Sequence, residues 1–304
     1  MSQILGSIIT PCYNACTTIT ETIESVMAQT YNDWEAIFVD DGSSDKSGCL
    51  LDGICDTRVK VIHTSNAGVA VAREIGLLHA NGDIVTFLDV DDSLSENACV
   101  TFIAPFVDNA IDIVIGGVVL LDDNHKRVNE IKYEPAVLSA DSVLGLACQG
   151  KVRWQLWGKA YRKQLFENIK TPTGLRNGED MAVFMQALSH ASTVMTIPNK
   201  LYYYYQIPTS VTHAKAKIVS IDGIKAAAFT QDVIGKRLGE LNVACLFLLM
   251  ASAALRSGLD MNNEYLREVL QRYFSLKAIS QLPVHKSISL IFAKYMRFNF
   301  AKFI

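Results

Sequence analysis

The chain has 304 residues, of which 50% are hydrophobic and 19% charged, with a formal net charge of -3 at pH 7. That length suits one large domain, or a compact core with a smaller appendage, and the charge balance gives no whole-chain case for nucleic acid, so any anion site is local. The seven cysteines are odd in number, scattered and without a CxxC pair, which argues against a thiolate zinc site or a redox motif and suits buried thiols in a reducing compartment. No basic segment precedes an apolar stretch at the start, so no signal peptide is expected. The longest apolar run, Val243 to Leu255, is shorter than the about 20 residues that span a bilayer and reads as a buried helix. A cytoplasmic protein is expected.

In chain order, Leu5 to Thr10 is a short apolar run ending at Pro11, a buried strand leading into a loop. Thr17 or Thr18 can cap a helix in which Ile19, Ile23 and Val26 recur at helical spacing. Glu35 to Val39 and Val59 to Ile62 read as strands, Gly68 to Ala80 as a helix closed by an Asn81-Gly82-Asp83 turn, and Ile84 to Leu88 as a further strand. Beyond these, Asp112 to Leu121 reads as a strand, and Gly178-Glu179-Asp180 opens a helix with acids in its first turn. From about Lys215 onward helices dominate. Alternating strands and helices imply parallel pairing in a layered α/β sheet, whose ligands sit beyond the carboxyl ends of the strands. The polar stretches Pro11 to Asn14, Asp40 to Ser44 and Asp89 to Asp92 each follow a strand end, so all three are expected on one edge.

Asp89-Val90-Asp91-Asp92 concentrates carboxylates, an expensive arrangement unless a cation joins them. Mg²⁺ and Mn²⁺ prefer oxygen ligands and share one or two carboxylates with substrate phosphates. A capping role ahead of a helix over Leu94 to Val100, served by Ser93 or Asp92, is the alternative reading, and both can hold at once. In Asp40-Asp41-Gly42-Ser43 a carboxylate can accept from the ring N–H of a uracil-like base; a plain turn explains the same residues.

The order Thr10-Pro11-Cys12-Tyr13-Asn14, Gln29-Thr30-Tyr31, Val39-Asp40-Asp41-Gly42-Ser43, Asn66 to Arg73, Asp89-Val90-Asp91-Asp92, Trp157 to Lys163 and Gly178-Glu179-Asp180 resembles the family 2 glycosyltransferases, in particular the bacterial capsule, lipopolysaccharide and exopolysaccharide enzymes. The likeness covers roughly residues 4 to 213. It implies a GT-A, Rossmann-like fold with a mostly parallel sheet: a catalytic domain over 1–214, split into a nucleotide-binding half (1–105) and an acceptor-binding half (106–214), and a helical region over 215–304. It also implies roles. Pro11 and Tyr13 line the nucleoside pocket, Asp41 bonds the base and Asp40 supports that loop. Arg73 reaches the base or phosphate, Asp89 the ribose or a water of the metal, and Asp91 ligates Mn²⁺ or Mg²⁺. Asp180 is the implied catalytic base of an inverting transfer from a UDP-sugar to a saccharide or lipid-linked acceptor.

Three positions depart from the family pattern: Glu74 and Gly158 where Asn is common, and Gln206 where Arg often follows the tyrosines. His213 reads as a late metal ligand or as an ordinary surface or capping residue, and Tyr202 to Tyr205 as a sugar-stacking run or as alternating strand faces. Trp154 and Trp157 read as an acceptor platform or as core packing, and the basic aromatic tail from Lys294 as a contact with the inner face of the membrane or as a terminal helix packed on the domain. A sugar-nucleotide pyrophosphorylase is disfavoured because Leu5 to Ala15 holds no Lys or Arg for a triphosphate. A catalytically inactive nucleotide-binding scaffold of a synthase complex is disfavoured by the presence of both Asp91 and Asp180.

Overall fold

The computed structural model describes residues 4–175, 177–206 and 217–296, without the side chains of 217–220, 292, 295 and 296. His213 and the tail beyond residue 296 therefore lie outside the described residues. The chain divides into two units. The first comprises Met1–Ser139, Leu156–Thr173 and Ala191–Ser210; the second comprises Ala140–Gln155, Gly174–His190 and Val211–Ile304.

The first unit is built on one sheet. Strands β1 (Gly6–Cys12), β2 (Trp34–Asp40), β3 (Val59–His63) and β4 (Ile84–Phe87) lie in the order β3-β2-β1-β4, all parallel. Every residue of β1 is buried, as expected of a strand covered on both faces and written as a continuous apolar run. Helices α1 (Ile19–Met27), α2 (Ser47–Asp52) and α3 (Val69–His79) connect them. In register, Cys12 lies opposite Asp40 and Asp40 opposite His63, so the carboxyl ends of three strands are level. Gly76 lets α3 sit directly on β1, since a Cβ there would collide with the Ile9 side chain. The strand and helix readings for this stretch agree with the structure to within one or two residues, with α2 the element not foreseen.

Beyond β4 the sheet becomes mixed rather than mostly parallel. After the short β5 (Ser93–Leu94) come helix α4 (Ala98–Ile103) and β6 (Ile113–Leu121), nine residues that are all buried. The hairpin partner β7 (Arg127–Ile131) and the short β8 (Ala136–Ser139) follow. Strand β9 (Lys159–Arg162) runs antiparallel between β4 and β6, and β10 (Thr193–Tyr205) runs parallel to β6 and antiparallel to β5 and β8. Trp34, Phe38, Phe102, Trp157 and Tyr202 are among the large side chains of its core.

The second unit is helical. It contains α5 (Ala140–Cys148), α6 (Glu179–His190), α7 (Lys217–Leu238), α8 (Glu240–Arg256), α9 (Glu264–Tyr273), α10 (Leu276–Ile279) and α11 (Val284–Met296). The Val243 to Leu255 run forms the buried body of α8, which packs against α5, α7, α9, α10 and α11. Phe247 of α8 stacks on Tyr273 of α9 with centroids 4.3 Å apart. Side-chain caps start two of these helices: Asn263 accepts from Leu266 N and Ser275 from Ala278 N. Among the described residues no helix is long and apolar enough to cross a membrane. All seven cysteines are free; Cys12, Cys99, Cys148 and Cys245 are buried as expected, whereas Cys49 and Cys55 are exposed.

Candidate active site at the carboxyl edge of the sheet

The loop after β1 is zipped onto the loop after β2. Asn14 takes a left-handed φ of 48°, a conformation Asn tolerates better than most residues. Its side-chain oxygen accepts from Ser44 N at 2.8 Å, and its own N–H donates to Ser43 Oγ at 3.0 Å. Ala15 N donates to Ser47 Oγ and Cys16 N to an Asp45 oxygen. The zipper buries Pro11 and leaves Tyr13 52% exposed beside it, an open ring at the rim.

Asp40 and Asp41 are both buried yet serve different groups. Asp41 accepts from the backbone N–H groups of Ala67 and Gly68, each at 2.8 Å, and so fixes the turn that starts α3. Asp40 accepts from Ser43 N at 3.0 Å and meets His63 Nδ1 at 2.9 Å. Burial pushes the Asp40 carboxyl up, but the Ser43 and His63 hydrogen bonds outweigh it and hold the group below the usual carboxylate range. His63 also contacts Asp52 of α2 at 3.0 Å; its hydrogen bonds to Asp40 and Asp52 raise its pKa. The turn reading and the site reading of these aspartates thus coexist.

The loop after β4 carries three carboxylates within four residues. Asp89 is paired with Arg73, whose buried guanidinium reaches it from α3 at 2.8 Å. Asp92 is fully buried, accepts from Tyr202 Oη at 2.6 Å and from Tyr205 N at 2.9 Å, and has a pKa well above the usual carboxylate range because of burial and then the charges of Asp91 and Asp89. Tyr202 Oη in turn accepts from Asp89 N at 3.2 Å, so one hydroxyl ties both ends of the turn to β10. Thr22 of α1 holds the same turn from below, its hydroxyl shared between the Val90 and Asp92 carbonyls. Asp91 has no partner side chain among the described residues; burial, with the Asp89 charge adding to it, lifts its pKa to about 6.

Two sequence alternatives are decided here. Neither Asp92 nor Ser93 caps a helix, because Ser93 and Leu94 form β5 and α4 begins only at Ala98, after Asn97. Trp157 is not an acceptor platform: it is buried and stacked on Tyr202 and Tyr204, with centroids 4.9 and 5.2 Å away. Tyr202 is buried with it, leaving only Tyr203 to Tyr205 partly open. Gly158 has a left-handed φ of 69°, a conformation open to Gly and tolerated by Asn, which accounts for one departure from the family pattern. Glu74 is exposed on α3, and Gln206 bonds through its backbone to Leu121.

Pro11, Tyr13, Asp40, Asp41, Arg73, Asp89 and Asp91 are thus all carried by the first unit, on or just behind the carboxyl edge of the sheet. Asp180 belongs to the second unit, in the first turn of α6 beside Glu179. Among the described residues no three His, Cys, Asp or Glu side chains converge as a ligand set. The donor set still fits a hard divalent ion of the kind that keeps one or two carboxylates and takes its remaining ligands from phosphates and water. Asp91, partly buried and lacking a side-chain partner, is the residue placed to gain from it. The positioning hydroxyl of Tyr202 was missed by sequence reading; a tyrosine run on a strand signals only β-propensity, not which ring faces inward.

Two outcomes follow from this electrostatics. Tyr202→Phe keeps the stack on Trp157 but removes a donor from a buried carboxylate, and is expected to lower unfolding free energy by about 1–3 kcal/mol in denaturant titration; an unchanged midpoint would show that the hydroxyl is dispensable. For Asp91 the folded chain holds its proton more tightly than the unfolded chain, so without divalent cation stability falls as pH rises from 3.8 to about 6 and is level above. Asp91→Asn should flatten that fall and be the more stable form at pH 7 by about 3 kcal/mol, whereas parallel curves for both proteins would contradict the raised pKa.

Comparison with known proteins places this geometry. Residues 7–174 match the model of Glycosyl transferase family 2. The uncharacterized glycosyltransferase EpsJ of Bacillus subtilis is 32% identical over 226 residues, covering 70% of this chain and 64% of its own. The UDP-Glc:alpha-D-GlcNAc-diphosphoundecaprenol beta-1,3-glucosyltransferase WfgD of Escherichia coli is 37% identical over 125 residues, 41% of this chain and 49% of its own. The chain therefore spans less than two thirds of the length of either relative. Among solved structures, S. aureus TarS 1-349 in complex with UDP-GlcNAc shares the fold, with a TM-score of 0.65 at 18% identity over 96% of this chain and 92% of that one. The family model spans more than half of the residues, and the chain belongs to glycosyl transferase family 2.

Proposed function

We propose that the chain transfers a sugar from a nucleoside diphosphate, with UDP the preferred carrier, to a hydroxyl of a saccharide or lipid-linked saccharide in surface polysaccharide assembly. The observation that carries this reading is the gathering of Asp41, the Arg73–Asp89 pair and Asp91 at one sheet edge. Family membership supports the activity. The UDP-GlcNAc bound by TarS and the UDP-glucose donor in the name of WfgD support the carrier, and the diphosphoundecaprenol in that name supports a lipid-linked acceptor.

In this reading Tyr13 offers its exposed ring to the base, and Pro11 closes the floor beneath it. Asp41 retains free lone pairs for the base N–H while its backbone bonds fix the loop. Asp40, held by Ser43 and His63, keeps the adjoining turn in place. Arg73 orients Asp89 towards the ribose and supplies the positive charge nearest the diphosphate. Asp91 is the residue that would hold Mn²⁺ or Mg²⁺, with Asp89 behind it. A divalent cation, when bound, offsets the negative charge that grows on the departing diphosphate. Asp180 takes the acceptor hydroxyl's proton as that oxygen attacks the anomeric carbon from the face opposite the leaving group, so one displacement inverts the centre. A carboxylate is a weak base towards an alcohol, and the proton moves late, once C–O bonding has acidified the hydroxyl. Residues 1–105 form the nucleotide half, and 106–214 contribute acceptor contacts.

The test is release of UDP from a panel of UDP-sugars with Mn²⁺ and saccharide or polyprenyl-diphosphate acceptors. Asp91→Ala and Asp180→Asn should each lower turnover by about 100-fold or more, and only Asp91→Ala should also weaken donor binding. Full turnover in either variant would remove that residue from the machinery. Donor binding by the wild type without turnover on any pair would favour the scaffold reading instead.

A further inference from the structure

Helix α11 carries an apolar stripe on its solvent-facing side. Val284, Ile288 and Ile291 are 75%, 45% and 38% exposed and recur at i, i+4 and i+7, which places them on one stripe. The opposite face is the one already used: Leu290 and Ala293 are fully buried, and Ser289 bonds Ser252 of α8 at 2.8 Å. Among the described residues, the packing of the second unit does not use Val284, Ile288 or Ile291 as core. A helix that needed only solubility would carry polar residues there.

Charge marks what covers the stripe. From Val269 to Ile304 the sequence holds Arg272, Lys277, Lys286, Lys294, Arg297 and Lys302 and not one Asp or Glu, in a chain whose net charge is -3. Of those within the described residues, Arg272, Lys277 and Lys294 are exposed. An apolar stripe inside an acid-free basic segment has the composition of a helix lying in a membrane interface, where apolar side chains enter the headgroup boundary and cations meet lipid phosphate. A second copy of the chain is the weaker occupant. A two-fold contact would bring the same basic segment against itself, since such an interface uses one patch twice.

We infer that the outer face of α11 docks on an anionic lipid bilayer through Val284, Ile288 and Ile291. This deepens the acceptor side of the proposed function and rests on that reading only for its purpose, because the surface is argued without reference to transfer. It also shifts the contact from the tail alone to a face of a packed helix.

The experiment is flotation of the full chain with vesicles of phosphatidylcholine alone or of phosphatidylcholine with phosphatidylglycerol. The wild type should float with the anionic vesicles, and about fivefold less with neutral ones or with salt raised well above the physiological level. The pair Ile288→Asp with Ile291→Asp should lose flotation at least about fivefold, while Ile288→Leu with Ile291→Leu keeps it. Both sites are exposed, so the aspartate pair should melt with the wild type; should it not, Ile288→Ser with Ile291→Ser takes its place. Absent wild-type flotation, equal flotation with both vesicles, or full flotation of the polar pair would overturn the inference. So would a doubled solution mass that the same pair abolishes, since a second copy would then cover the stripe. UDP release measured without vesicles separates the two ideas: a chain that floats but never turns over loses the transfer reading and keeps this surface.

Discussion

Three carboxylates in one four-residue turn at the end of a buried strand set the terms for the rest of the first unit. Each loses hydration there, and each repels the others, so the turn persists only if every one finds a separate answer. Asp89 has the Arg73 guanidinium. Asp92 has the Tyr202 hydroxyl and the Tyr205 N–H. Asp91 has no partner side chain among the described residues, and burial, with the Asp89 charge adding to it, raises its pKa. In the function proposed above, a divalent cation bound beside it would offset that unfavourable burial.

The distant parts of the sheet can be read as support for that turn. Strand β10 runs to 13 residues and delivers Tyr202 and Tyr205 to the level of Asp92. Trp157 stacks on Tyr202 from the side, which locks the ring and with it the hydroxyl. Thr22 fixes the turn's carbonyls from α1. On the other flank, Asp41 holds the start of α3 by two backbone bonds, and α3 in turn carries Arg73 to Asp89. The loop that carries Asp41 and the acidic turn are therefore mechanically linked through a single helix.

Much of this is legible in the amino-acid sequence. Continuous apolar runs at Leu5 to Thr10 and Ile84 to Leu88 are strands because a strand covered on both faces has no reason to alternate, and polar residues just after them had to fall on one edge. What was not legible depended on partners far along the chain. A cap and a short β5 use the same Asp-Ser-Leu letters, and only pairing with Tyr202 and Tyr203 decides between them. Trp157 reads as a platform or as core until its neighbours are known, and the two tyrosines across the sheet make it core. Residues 140–155 and 174–190 carry no sequence mark of joining the helical unit, since their helices look like ordinary crossovers until α7 and α8 are present to receive them.

The most direct measurement of the central claim is calorimetric titration of UDP into the wild-type chain with and without Mn²⁺ at neutral pH. The account predicts that the cation tightens UDP binding by about tenfold or more, the two ligands sharing the Asp91 carboxylate's neighbourhood. UDP binding of equal strength with and without the cation would contradict it, because the unpaired charge in the turn would then have no ligand to answer it.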